Sequence, residues 1–175
     1  MDILIRKAGI NECEAVTDFY ASLIDKIKPT QYYPKWEKGV YPADEYLENA
    51  VKSGQMYITL CGEKIIGAMV VNNKCADGYD GAKWNVEASE NEVTVIHILC
   101  VLPEFSGKGV GARMVRYAIK LAQENAQKAI RLDVLEGNLP AERLYKSVGF
   151  KCVGSVRLFY ECTGLATFYL YEYEL

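Results

Sequence analysis

The stretch Pro103-Glu104-Phe105-Ser106-Gly107-Lys108-Gly109-Val110-Gly111-Ala112 follows an apolar run at 93–101 and opens a long amphipathic pattern. It spells a buried strand, a glycine-rich turn and a helix start. Glycines at alternate positions let the backbone approach a ligand closely, and the amides of a first helical turn have no intrahelical partner. Together with the helix dipole, those amides hold phosphate or pyrophosphate without a basic side chain. The competing interpretation is a flexible loop that merely precedes a helix.

The spacing narrows the phosphate ligand. A P-loop needs Gly-x-x-x-x-Gly-Lys-Ser/Thr, but Gly109 follows Gly107-Lys108 and Leu102 occupies the first glycine's place. The dinucleotide pattern Gly-x-Gly-x-x-Gly/Ala fits 107–112 formally, with Asp133 at a suitable distance. It sits badly, because 103–106 separate the strand from the glycines and the chain closes in a hairpin soon afterwards.

Working outward, residues 2–7 alternate as a short strand. Asn11 is expected to cap a helix to about 27, with Glu14 at the capping-box position and Val16, Phe19, Tyr20, Leu23 and Ile24 at helical spacing. A second helix is expected over 43–53, ended by Gly54. Runs 55–61 and 64–72 form a hairpin about Gly62-Glu63, and 73–91 is a long loop. Val110, Met114, Tyr117, Ala118, Leu121 and Ala122 share one face of a helix over 109–126. A strand over 129–135, a helix over 139–148 and a hairpin over 150–160 and 165–174 complete the order, with Tyr169, Tyr171 and Tyr173 on one face. Strands alternating with helices in this way predict one α/β domain spanning 1–175, built on a mixed sheet.

The composition is that of a globular chain: 175 residues, half of them hydrophobic, with a net charge of −3. That charge argues against capture of nucleic acid or of an anionic membrane, and weakly favours cationic partners such as amines. No apolar run is long enough to cross a bilayer, and the first residues do not read as a signal peptide, so a cytoplasmic location is expected. The cysteines at 13, 61, 75, 100, 152 and 162 form no Cys-x-x-Cys and mostly lie in apolar runs; they read as reduced core thiols. With a single histidine, His97, no metal site is expected.

Two blocks together resemble the GNAT superfamily of N-acetyltransferases. Val101-x-Pro103-x-x-x-Gly107-Lys108-Gly109-Val110-Gly111 is similar to its acetyl-CoA signature, although Ser106 stands where that signature has Arg or Gln. Leu132-Asp133-x5-Asn138-x2-Ala141-x2-Leu144-Tyr145-x3-Gly149-Phe150 is similar to its later motif. The resemblance implies a mostly antiparallel central sheet flanked by helices, whose fourth and fifth strands splay apart around the pantetheine arm. It implies that acetyl-CoA is the co-substrate and that its pyrophosphate rests on Ser106, Gly107, Lys108, Gly109, Val110, Gly111 and Ala112. Leu99, Cys100 and Val101 would flank the arm and the thioester, and Asn138 would bond the arm or a water.

A lysine-like amine with a pKa of about 10.4 is almost wholly protonated at pH 7, so a base is useful. His97, on the strand implied to line the thioester, is the candidate base; the alternative is a core histidine bonded to a neighbour. Tyr145, where many family members carry a catalytic tyrosine, is the candidate acid for the departing thiolate; the alternative is an aromatic on a helix's apolar face. Tyr32, Tyr33, Trp36, Tyr41, Tyr79 and Trp84 are candidate acceptor-pocket aromatics, or equally loop anchors. The expected acceptor is a primary amine of a small molecule, attacked directly in a ternary complex. A peptide acceptor or a non-catalytic CoA-binding module are the other readings. The chain is expected to be a monomer or a homodimer, with the tyrosine-rich tail as a candidate interface.

Overall fold

The computed structural model describes residues 1–30 and 34–175. In chain order the elements are β1 (Leu4–Lys7), α1 (Cys13–Ile27), α2 (Asp44–Lys52), β2 (Met56–Cys61), β3 (Lys64–Asn72), β4 (Val93–Val101), α3 (Val110–Glu124), β5 (Ala129–Leu135), α4 (Leu139–Val148), β6 (Lys151–Tyr160) and β7 (Gly164–Glu174). The strands form one sheet in the order β1-β2-β3-β4-β5-β7-β6. Every neighbouring pair is antiparallel except β4 and β5. The expected α/β class and element order hold.

The start of α1 differs from the expectation. Residues Ile10–Glu12 form a 3-10 turn, and the capping carboxylate is Glu12, which accepts the Gly9 amide at 2.6 Å and pairs with Arg6 at 2.7 Å. Asn11 and Glu14 play no such part, because the extra turn moves the first free amide back to Gly9. All six cysteines are free, as expected; Cys13, Cys61, Cys75 and Cys100 are half-buried against the hydrophobic clusters, Cys162 is half-buried and Cys152 is exposed, so the thiols border the core more than they form it.

Helices cover both faces of the sheet. On one face α3 buries Val110, Met114, Val115, Ala118, Ile119 and Ala122 against Ile130, Leu132, Val134 and Tyr171. Each large apolar side chain so buried contributes roughly 1.5–3 kcal/mol, which explains why a helix with this pattern docks where it does. Tyr169 and Tyr173 pack on the same core, so the tail's tyrosine face is turned inward towards the chain's own helices. On the other face α1 and α2 cover Met56, Ile58, Ala68, Val70 and Ile98.

The 73–92 segment lies over the β5–β7 side, where Tyr79, Val93, Val95, Leu158, Phe168 and Leu170 form a third cluster. It is strapped down by a buried ion pair. Glu172 on β7 accepts from Arg131 Nε at 3.1 Å and from the amides of Asn85 and Val86 at 2.8 and 3.2 Å. Arg131 also donates to the Val86 carbonyl at 2.7 Å. Among the described residues, no helix is long and apolar enough to cross a membrane.

Candidate active site

The opening in the sheet is built by the backbone of β4. Only Val93, Thr94 and Val95 pair with β5, opposite Ala129, Ile130 and Arg131; β5 then continues along β7 over its whole length. On its other edge β4 slips by one residue against β3, from Val70↔His97 to Ala68↔Cys100. The extra residue is a β-bulge, and it bends and twists its strand. Ile98 takes the strain, with φ of +45°, a region costly for a β-branched residue. The Tyr20 hydroxyl donates to the Ile98 carbonyl at 3.0 Å and so fixes the distorted peptide. From Ile96 onward the β5-facing edge of β4 is therefore parted from its neighbour.

The glycine turn adjoins this opening. Gly107 and Gly109 have φ of +72° and +77°, and a Cβ at either would meet nothing. Backbone conformation, not space, requires glycine there. Gly111 differs: a Cβ would come within 3.1 Å of Leu144 Cδ2, so this glycine permits the close approach of α3 and α4. Residues 106–109 are exposed, and Gly109 at the N-cap supplies no side-chain acceptor to the first amides of α3. A helix start with open amides and no capping side chain fits a diphosphate.

Two cavities meet where β4 and β5 part. The first is a groove lined by Leu99, Cys100, Val101, Ser106, Gly107, Gly109, Val110, Gly111, Ala112 and Asn138, with Phe105, Arg143 and Leu144 among its further walls. It gathers every residue expected to bind the co-substrate except Lys108, whose ammonium lies 5.3 Å from the centre of the Phe105 ring. The second is an aromatic cavity lined by Trp36, Tyr41, His97, Asp133, Tyr145, Tyr160 and Phe168 among others. Pro34, Trp36, Leu99, Asn138, Ala141 and Tyr145 line both.

Tyr145 is held at that junction by its ring, which packs edge-on to Phe150 at 5.5 Å and beside Tyr171 at 6.4 Å. Among the described residues, its hydroxyl has no protein partner. Burial, then the charge of Asp133, pushes its pKa up, so the hydroxyl keeps its proton at pH 7. Asn138 Oδ1 accepts the Ala141 amide at 3.4 Å and caps α4; among the described residues its amide nitrogen has no protein partner. Cys100 is drawn inward, and burial pushes its thiol up to about 12.

His97 lines the aromatic cavity, with Nε2 2.9 Å from Asn72 Oδ1. An oxygen partner makes Nε2 the donor. Burial lowers its pKa to about 4, so the unperturbed value expected from sequence does not hold: the imidazole is neutral at pH 7 and weakly basic. It has features of both readings, a cavity wall and a bonded neighbour of the turn after β3.

The aromatic candidates divide. Trp36 and Tyr41 line the cavity, and Tyr41 lies 5.2 Å from Tyr160, a contact that bridges the 34–43 segment to β6. Tyr79 is buried and reaches the site only through its hydroxyl, which donates to Asp133 Oδ2 at 2.8 Å. Trp84 lines a separate hollow with Tyr79 and Arg131; its Nε1 donates to the Tyr79 carbonyl and its ring lies 4.3 Å from the Arg131 guanidinium. It is a loop anchor, placed there because the Glu172 strap draws the loop onto β5. Tyr32 and Tyr33 lie outside the described residues. Sequence reasoning did not single out Asp133 and Tyr160 for the cavity. The one available signal was a pair of charged residues, Arg131 and Asp133, alternating with apolar ones in the strand 129–135.

The family model for the acetyltransferase (GNAT) family matches residues 21–150. The chain belongs to that family. The N-alpha-acetyltransferase RimI of Mycobacterium tuberculosis is 35% identical over 69 residues, 39% of this chain and 42% of that protein. The thialysine N-epsilon-acetyltransferase of Bos taurus is 22% identical over 148 residues, 84% of this chain and 83% of that protein. Arabidopsis thaliana NAA60, solved in complex with acetyl-CoA, superposes with a TM-score of 0.71 at 20% identity, covering 99% of each chain. The chain spans less than half the length of the relatives it matches at 30% identity or better.

Proposed function

We propose that this protein transfers the acetyl group of acetyl-CoA to a primary amine of a small molecule, by direct attack with both substrates bound. The observation that carries the proposal is the meeting of an open-amide glycine groove with an aromatic cavity at Tyr145, where the sheet splits. Acetyl-CoA supplies an activated acetyl thioester. The amides of 107–112 would hold its diphosphate, and the parted edge of β4 near Leu99, Cys100 and Val101 would flank its arm. A backbone amide there, aimed at the thioester carbonyl, would stabilise charge developing on that oxygen.

Tyr145 acts as the acid in this scheme: a protonated, otherwise unpartnered hydroxyl at the junction can give its proton to the departing sulfur. Direct attack is favoured over an acetyl-cysteine route because the Cys100 thiol stays protonated, and the thiolate is the nucleophilic form. Only about one in a thousand lysine-like amines is neutral at pH 7, so the amine sheds a proton at the site. His97 is neutral and available, but a group of pKa about 4 holds such a proton briefly, which puts more weight on a water relay. The Tyr41–Tyr160 contact across the cavity favours a small acceptor over a polypeptide.

Thiol release from acetyl-CoA across a panel of amines tests the proposal, with calorimetric titration of CoA beside it. Tight CoA binding with no acetylation of any amine would turn the assignment to a CoA-binding module. Turnover confined to peptide N-termini would favour the peptide reading.

A further inference from the structure

Among the described residues, the cavity lining holds one carboxylate, which the acetyl-transfer scheme leaves without a task. Asp133 stands on β5 between Leu132 and Val134, which face α3 and α4, so its side chain takes the opposite face. There it lines the cavity with Trp36, Tyr41, Tyr160 and Phe168. Tyr79 and Tyr160 both donate to its Oδ2, at 2.8 and 3.1 Å. Among the described residues no other side chain donates to this carboxylate, and no lysine or arginine pairs with it. Arg131, two residues earlier on the same face, is committed to Glu172, the Val86 carbonyl and the Trp84 ring.

Burial pushes the Asp133 carboxyl up, and the bonds from Tyr79, Tyr160 and its own backbone oppose that only in part. Its charge in turn raises the pKa of Tyr41, Tyr79, Tyr145 and Tyr160, which places all four within its field. A half-buried carboxylate facing an aromatic cavity without a cation is a costly arrangement. A cationic ligand relieves that cost, and aromatic faces around the same space attract a cation as well.

We propose, resting on the acetyl transfer inferred above, that Asp133 receives the acceptor's ammonium group through Oδ1, so that the substrate is an aliphatic amine entering the cavity charged. Tyr79 and Tyr160 are positioning residues: by fixing Oδ2 they aim Oδ1 into the cavity. The site then selects alkylammonium compounds over arylamines, which are neutral at pH 7.

The test is steady-state thiol release by the full chain with butylamine and with aniline, for wild type and Asp133→Asn. The expected result is a KM for butylamine raised about a hundredfold in the variant, the scale of losing one partner of a desolvated charge pair. The KM for acetyl-CoA, whose groove does not include Asp133, stays within about twofold. An unchanged butylamine KM overturns the proposal and leaves acetyl transfer standing. A wild-type preference for aniline also overturns it.

If neither these nor any other amine of the panel is turned over, the acetyl-transfer reading fails, and calorimetric titration with butylammonium chloride decides the site by itself. Weaker binding by Asp133→Asn supports it, and equal binding sinks it. Thermal unfolding guards against a folding artefact. With no ionic partner to lose, Asp133→Asn is expected to melt at or above wild type, and a drop beyond about 5 °C would mark the carboxylate as structural.

Discussion

Replacing Glu172 by Gln removes one negative charge and changes almost nothing in shape. The side chains of Arg131 and Glu172 are 6% and 2% exposed, with Arg131 Nε 3.1 Å from Oε1. Oε2 accepts the Asn85 and Val86 amides. A glutamine has one oxygen and one NH2, so whichever way it is turned, a donor faces a donor: the guanidinium on one side or two amides on the other. Removing one partner of a buried pair costs about 3–5 kcal/mol, because the other charge stays buried.

For a domain of this size each kcal/mol lowers Tm by roughly 2–4 °C, so the drop expected is about 6–20 °C. The remaining bonds of Arg131 to Val86 and Trp84 place the result in the lower half of that range. Thermal unfolding followed by circular dichroism measures it, with Glu174→Gln on the exposed end of β7 as a control expected to change stability by less than about 0.5 kcal/mol. A Glu172→Gln melt within about 2 °C of wild type would refute the reasoning. It would mean that water or loop movement solvates Arg131 as well as Glu172 does.

Three further outcomes follow from the site. Tyr145→Phe should lower kcat about 10²–10³-fold while calorimetric affinity for acetyl-CoA stays unchanged, since general-acid assistance is lost and the ring remains; an undiminished rate at every pH rejects the acid role. Gly109→Ala must hold a Cβ at φ of +77°, at a cost of about 1–2 kcal/mol, so acetyl-CoA should bind about tenfold more weakly; equal affinity would show that the turn does not hold the diphosphate. His97 has a folded-state pKa of about 4, below the unfolded 6.5. The unfolded chain therefore binds the extra proton, and stability falls as pH drops from 6.5 towards 4, by about 3 kcal/mol at the lower end. Stability measured against pH should slope less in His97→Gln than in wild type across that window, and identical slopes would count against the burial of His97.

The chain's local chemistry determined much of this protein. The glycines at 107, 109 and 111, the apolar strand before them and the helical stripe from Val110 to Ala122 are properties of neighbouring residues. A turn needing positive φ and a helix needing a one-sided stripe leave their marks within a few positions. The element order was legible for that reason, as was the glycine turn that lines the groove. The start of α1 was misplaced because a 3-10 turn moves the cap two residues back, from Asn11 to Gly9, without changing the apolar spacing.

What only the tertiary structure decided depends on partners distant in sequence. An aspartate at 133 and an arginine at 131 carry no mark, in the strand's own residues, of what will cover them. They are covered because β7 inserts between β5 and β6, and because Glu172 draws the 73–92 loop, with Tyr79, across them. The same long-range burial takes His97 from an ordinary titrating imidazole to a neutral one, since desolvation is a property of everything packed around a group and not of its neighbours in the chain.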